Sequence, residues 1–153
     1  MDKINNKKQI LQKKEQLERL SKYMNYEKTW KGLANRKVKT TILLTNNNLK
    51  SNFLLKDNEL PILEYYNDEV NNFLFTTKSI YYRMGNVLKT INYIDILSIE
   101  DQESFFLLKG APKFIKLKLN LVNGDFFAFE VETGSPMKAV ILLIIWNKNN
   151  NIE

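Results

Sequence analysis

The stretch FLFTTKSIYYRMGNVLKTINYIDI, residues 73 to 96, holds three short apolar runs, one Gly-Asn turn and a Tyr93-Ile94-Asp95-Ile96 corner. Val, Ile, Tyr, Phe and Thr dominate the runs, and the punctuation between them is too short for a helix, so consecutive antiparallel strands are the reading. The same period of two continues on both sides. Strands are expected at Leu60–Tyr66, Asn72–Thr76, Ser79–Met84, Val87–Tyr93, Asp95–Glu100, Lys113–Val122 and Phe126–Thr133. Gly85-Asn86 and Asn123-Gly124 supply residues that tolerate the positive φ of tight hairpins. Alternation is clearest in the last pair. Ile115, Leu117, Leu119 and Leu121 share one face with Phe127, Phe129 and Val131, while Lys116, Lys118, Glu130 and Glu132 are expected on the wet face, paired across the strands.

Helices bracket the strands. Residues 2 to 25 contain no Gly or Pro and place Ile10, Leu17, Leu20 and Met24 at helical spacings, with Glu15 and Glu18 four residues ahead of Arg19 and Lys22. Trp30, Leu33, Val38, Ile42 and Leu43 fit a second helical piece, set against Gly32 and the β-branched run that follows. TNNNLKSN, residues 45 to 52, reads as a polar connector. After Thr133, Ser135 is placed as an N-cap and Pro136 at the first helical position of a closing helix. Ala139 to Trp146 of that helix is apolar at every position, and a helix apolar all round is normally buried all round. Residues 1 to 25 are therefore expected to dock on its outer face, in cis or across a dimer.

A chain of 153 residues suits one core with an extension: residues 1–55 as a basic helical extension and 58–148 as the domain. Charge divides the same way. Residues 1 to 40 carry 12 Lys and Arg against 4 Asp and Glu, and the remainder carries 11 against 13. With no apolar leader and no run long enough to span a bilayer, a cytoplasmic location is expected. Richness in Asn, Lys and Ile fits an AT-rich bacterial genome, so a bacterial source is expected.

His and Cys are both absent, which removes His or Cys metal sites, Ser/His and Cys/His nucleophiles and thiol redox chemistry. No cofactor or metal is called for, and a hydrolase is disfavoured. Asp57, Glu59, Asp68 and Glu69 lack the ligand spacing of a calcium loop and read as surface acidity. Asp95 is expected to pin the strand corner through local backbone N–H groups.

Seven strands in meander order followed by one helix resemble the pleckstrin-homology-like (PH-like) domains of bacteria. FLFTTKSIYYRMG, with its turn at Thr77-Lys78, then VLKTINYIDILSIE, VNGDFFAFEV and the final helix carry the resemblance over roughly residues 58 to 148. It implies an α+β, mainly β fold: a seven-stranded antiparallel sandwich or partly open barrel capped by the C-terminal helix. That scaffold serves lipid, peptide and protein binding alike. Phosphoinositide binders of the family place bases around the first hairpin loop, whereas residues 66 to 71 here hold two acids and no base.

The candidate binding residues are Lys7, Lys8 and Lys14 on the N-terminal helix and Tyr81, Arg83 and Lys89 on the strands, Tyr and Arg being enriched at binding hot spots. The expected function is non-enzymatic binding of another protein, an immunity-type protein that neutralises a toxin by direct contact being one form. A peripheral membrane module using the basic helix is the alternative, a homodimer is a further arrangement, and nucleic acid is disfavoured for want of a recognised module.

Overall fold

The computed structural model describes residues 2–24, 30, 38–44, 49–101 and 113–150. Helix α1 (Asp2–Leu20) runs into a 3-10 turn at Ser21–Tyr23 and is followed, among the described residues, by eight strands. These are β1 (Thr40–Ile42), β2 (Pro61–Asp68), β3 (Asn71–Thr76), β4 (Ser79–Met84), β5 (Val87–Asn92), β6 (Ile96–Asp101), β7 (Phe114–Leu121) and β8 (Phe126–Glu132). Helix α2 (Ser135–Asn150) closes the order. Strands β1 to β5 form one antiparallel sheet in sequence order and β6 to β8 a second, neither of them closed. Two unclosed sheets with a C-terminal helix and an N-terminal helical extension are consistent with the PH-like sandwich. Among the described residues no helix is long and apolar enough to cross a membrane.

The Tyr93 corner divides the sheets. Tyr93 to Asp95 form a 3-10 turn rather than strand ends, and the fully buried Tyr93 hydroxyl donates to the Thr76 carbonyl at 2.7 Å. Asp95 is exposed, and its backbone carbonyl accepts the Val122 N–H. At the β3–β4 turn, Thr76 Oγ1 accepts the N–H groups of Lys78 and Ser79, a hydroxyl standing in for a backbone turn. Of the two β7–β8 turn residues expected at positive φ, only Gly124 adopts it, at 94°. Helix α2 also starts one residue early: the Gly134 carbonyl accepts the Lys138 N–H, which makes Gly134 the cap and Ser135 the first helical residue.

Inner faces of the two sheets meet through aromatic rings. Phe73 lies 5.5 Å from Phe129, edge on, and Tyr82 lies 4.9 Å from Phe127. Leu20 and Trp30 join this core from the N-terminal segment, as do Val140, Leu143 and Ile144 from α2. The outer face of the larger sheet is covered as well. Leu49, Phe53 and Leu55 lie over Leu43, Leu74 and Tyr81, so part of the expected polar connector is a lid on a second small core.

The N-terminal segment corrects two expectations. Residues 40–42 pair with β2 (Thr40↔Tyr65, Thr41↔Glu64, Ile42↔Leu63), so Ile42 is in a strand and not in a second helix. β-Branched Thr40, Thr41 and Ile42 suit an extended backbone, and the edge of β2 offers the missing hydrogen bonds. Leu33 lies outside the described residues. Glu132 was expected on the wet face with Glu130, yet it is 1% exposed. The chain entering β1 crosses over it: the Glu132 carboxylate accepts the N–H groups of Lys39 (3.0 Å) and Thr40 (2.7 Å) and the Thr40 hydroxyl (2.5 Å). Glu130, opposite Lys116, stays exposed as expected.

A buried donor left without its acceptor costs about 1–3 kcal/mol. Glu132→Ala should therefore lower stability by roughly 3 kcal/mol, and Glu130→Ala by less than about 0.5 kcal/mol, in denaturant unfolding of the two variants. Equal effects would mean that the β1–β8 junction does not hold as described.

Candidate interaction surface

Helix α1 is built from strong helix formers without Gly or Pro. Its inward row is Gln9, Lys13, Gln16 and Leu20, spaced four, three and four residues apart and buried. Only the C-terminal end of this row is apolar. The rest of the docking is polar: Gln12 Nε2 donates to the Thr77 carbonyl (3.0 Å) and to Asn147 Oδ1 (2.6 Å), and Gln16 Nε2 donates to the same Oδ1 (2.8 Å). Asn147 Nδ2 in turn donates to the Leu143 carbonyl one turn back on α2. Arg19 stacks its guanidinium 5.2 Å from the centre of the Trp146 ring. The N-terminal helix thus meets the closing helix in cis near the latter's C-terminal end, through Asn147 on its buried side rather than on the outer face expected, where Ile145 stays 41% exposed.

Three of the four residues of the expected stripe face the body and Ile10 does not. Leu20 is buried and Leu17 and Met24 pack against the core, but Ile10 is 59% and Leu11 57% exposed. Asn147 decides this outcome. It lies in phase with Val140, Leu143 and Ile144 on the buried side of α2, and a buried amide needs partners that Ile and Leu cannot supply. Gln12 and Gln16 turn toward it, which rotates Ile10 and Leu11 outward. The signal was present as three glutamines at helical spacing and one Asn in phase with an apolar run.

Lys7, Ile10, Leu11 and Lys14 fall at i, i+3, i+4 and i+7 and share the outward face, with Lys8 exposed beside them. All three lysines expected as binding residues are therefore brought together, around Ile10, which the expected stripe placed inside, and Leu11. Next to this face, Ile10, Lys14 and Leu17 form one wall of a groove of about 680 Å³ whose other wall is Leu44 and Leu60. Lys13 also lines it, and burial pushes its ammonium below the usual lysine value.

The other three candidates do not form one patch. Tyr81 is buried under Phe53, 5.4 Å between ring centres, and its hydroxyl donates to Glu59 Oε2 at 2.6 Å, so no partner can reach it. Arg83 lies on the same outer face, its guanidinium 5.3 Å above the Phe53 ring and hydrogen-bonded to Asn52 Oδ1. Lys89 pairs with Tyr82 and so occupies the opposite face of the sheet. Glu59, expected as surface acidity, is buried and accepts from Thr76 Oγ1 and the Lys56 N–H besides Tyr81. Lid residues 49–56 explain both departures: they turn an outer sheet face into an interior.

Set against family models, curated proteins and solved structures, the chain finds no match in any of the three.

Burial raises the hydroxyls of Tyr65, Tyr81, Tyr82 and Tyr93 above the ordinary value of 10.0, with Glu59 adding to the shift at Tyr81 and Tyr93. A raised folded-state value means that the stabilisation is complete below the unfolded value near pH 10.0 and is lost as pH climbs through the folded values. An alkaline absorbance titration should show tyrosinate appearing in separate steps. Tyr81→Phe should remove amplitude from the late step; loss from the first step would overturn the buried Tyr81–Glu59 contact.

Proposed function

We propose that the chain is a non-enzymatic, PH-like protein-binding module of the cytoplasm that meets its partner through α1. Ile10 and Leu11 carry this reading. They stand in water on a helix whose other side is fastened to the body through Gln12, Gln16 and Leu20, and they are ringed by Lys7, Lys8 and Lys14. Full burial of a Leu or Ile side chain is worth roughly 1.5–3 kcal/mol, so a complex covering this pair gains free energy that the isolated fold forgoes. The lysines give that complex its charge preference and its encounter rate. Direct neutralisation of a toxin by an immunity-type protein is one form of such binding, and it requires nothing of the chain but this surface.

The same lysines around Ile10 and Leu11 favour a second reading, adsorption to an anionic membrane. Residues 7 to 14 include no Trp or Phe, and Glu15 and Glu18 follow on the next turn, which leaves protein as the better fit.

Affinity capture from the native source, with wild type beside an Ile10→Asp, Leu11→Asp double variant, tests the proposal. Both side chains are exposed, so the variant should melt like wild type while its partner is retained about tenfold less or worse. Capture that ignores both substitutions overturns the role of α1. Pelleting with anionic vesicles that is reversed by salt establishes the membrane reading instead.

A further inference from the structure

The groove beside α1 has its own chemistry. Ile10, Lys14, Leu17 and Ser21 succeed one another at spacings of four, three and four residues, the spacing by which one helix packs along another. Facing them, Leu44 lies two residues beyond β1, 45% exposed, and Leu60 immediately precedes β2. The walls are apolar, Lys14 and Glu18 stand exposed at the rim, and Lys13 lines the groove from its buried position.

We infer that this groove seats an amphipathic helix of the partner protein, one whose apolar stripe is bordered by Asp or Glu. The inference rests on the protein-binding reading and specifies the chemistry of the partner. Three observations select this occupant. An extended peptide adding to the sheet would need free backbone at β1, but the Thr40 N–H donates to Glu132 and the Thr40 carbonyl accepts the Trp30 indole N–H at 2.7 Å. The groove therefore offers side chains rather than a strand edge. A second copy docking by two-fold symmetry, with Ile10 of each against Leu17 of the other, would set Lys13 and Lys14 against the same lysines of its mate, a like-charge contact that opposes association. Carboxylates in that position reverse the sign. Helix-in-groove recognition through apolar anchors at helical spacing is what the walls provide.

Three synthetic peptides of equal length serve as probes with the full chain: one carrying Leu at i, i+4, i+7 and i+11 bordered by Glu, a second bordered by Lys, and a third repeating the acidic sequence with a central Pro. Methyl resonances of Ile10, Leu17, Leu44 and Leu60 report the site. The acidic peptide should shift all four and bind about tenfold or more tightly than either control, with the gap to the Lys peptide narrowing as salt rises. Lys14→Glu, at an exposed position, should abolish the preference for the acidic peptide. The inference is overturned if the acidic peptide shifts none of the four methyls, if the Lys or Pro peptide binds equally well, or if sedimentation shows the chain alone forming a dimer that Leu44→Asp dissolves.

Partner capture separates this inference from the broader one. Loss with Ile10→Asp, Leu11→Asp but not with Leu44→Asp or Lys14→Glu leaves α1 as the contact and removes the groove. Loss with none of the three variants removes both.

Discussion

The Glu132 carboxylate sits between the ends of the two sheets with its oxygens committed to Lys39, Thr40 and the Thr40 hydroxyl. A carboxylate taken out of water is costly unless its lone pairs are met, so the chain entering β1 has one place to go. From that point β1 pairs with β2, Leu43 and Leu44 follow, and the segment beyond returns as a lid. Two more glutamates hold the lid in the same manner. Glu64 receives the N–H groups of Lys50 and Ser51, and Glu59 receives that of Lys56. Glu132 and Glu64 project from strands and Glu59 from the loop just before β2, and all three collect backbone donors from segments with few ladder partners of their own. Irregular chain is thereby fastened to a regular sheet without a helix or a disulfide.

The lid and α1 use different physics to cover the body. Over the outer sheet face, Phe53 and its neighbours exclude water and the glutamates set position. Under α1 the contact is mainly amide to amide, with Leu20 as the apolar anchor. Hydrogen bonds between neutral groups are worth about 0.5–1.5 kcal/mol each net of water, less than burying the displaced Ile and Leu would give. What they supply is orientation. Gln12 and Gln16 can meet Asn147 in one rotation of the helix only, and that rotation presents Lys7, Ile10, Leu11 and Lys14 together.

Strands β2 to β8 were legible because alternation, turn residues and cross-strand charge pairing all act within a few positions of one another. Bounds differ by one or two residues at most strand ends, and at Tyr93 to Asp95 the expected strand ends are a 3-10 turn. Departures came where a contact joins distant parts of the chain. Three residues of β1 carry too little pattern to be read as a strand; their partner in β2 and the Glu132 carboxylate supply what the local sequence lacks. Burial of Glu132 has no local signature, since the residue that covers it is 92 positions away. At the candidate surface the lysines were visible as charge, whereas the exposure of Ile10 and Leu11 follows from Gln16 and Asn147, 131 positions apart.

These separations also govern how the chain is made. Synthesis runs from the N-terminus, so Thr40 leaves the ribosome before its acceptor at Glu132 exists, and at about 5–20 residues per second the interval is roughly 5–20 s. Asn147 follows later still. During that interval α1 has neither the amide that orients it nor the core that takes Leu20, and its Ile and Leu residues are open on every side. The nascent chain can build the β2 to β5 meander from neighbours as they emerge, but α1 and β1 are locked in only after β8 and α2 have been added. Assembly of this fold is gated by α2, and a ribosome that stalls short of it holds a folded meander beneath an unattached basic helix.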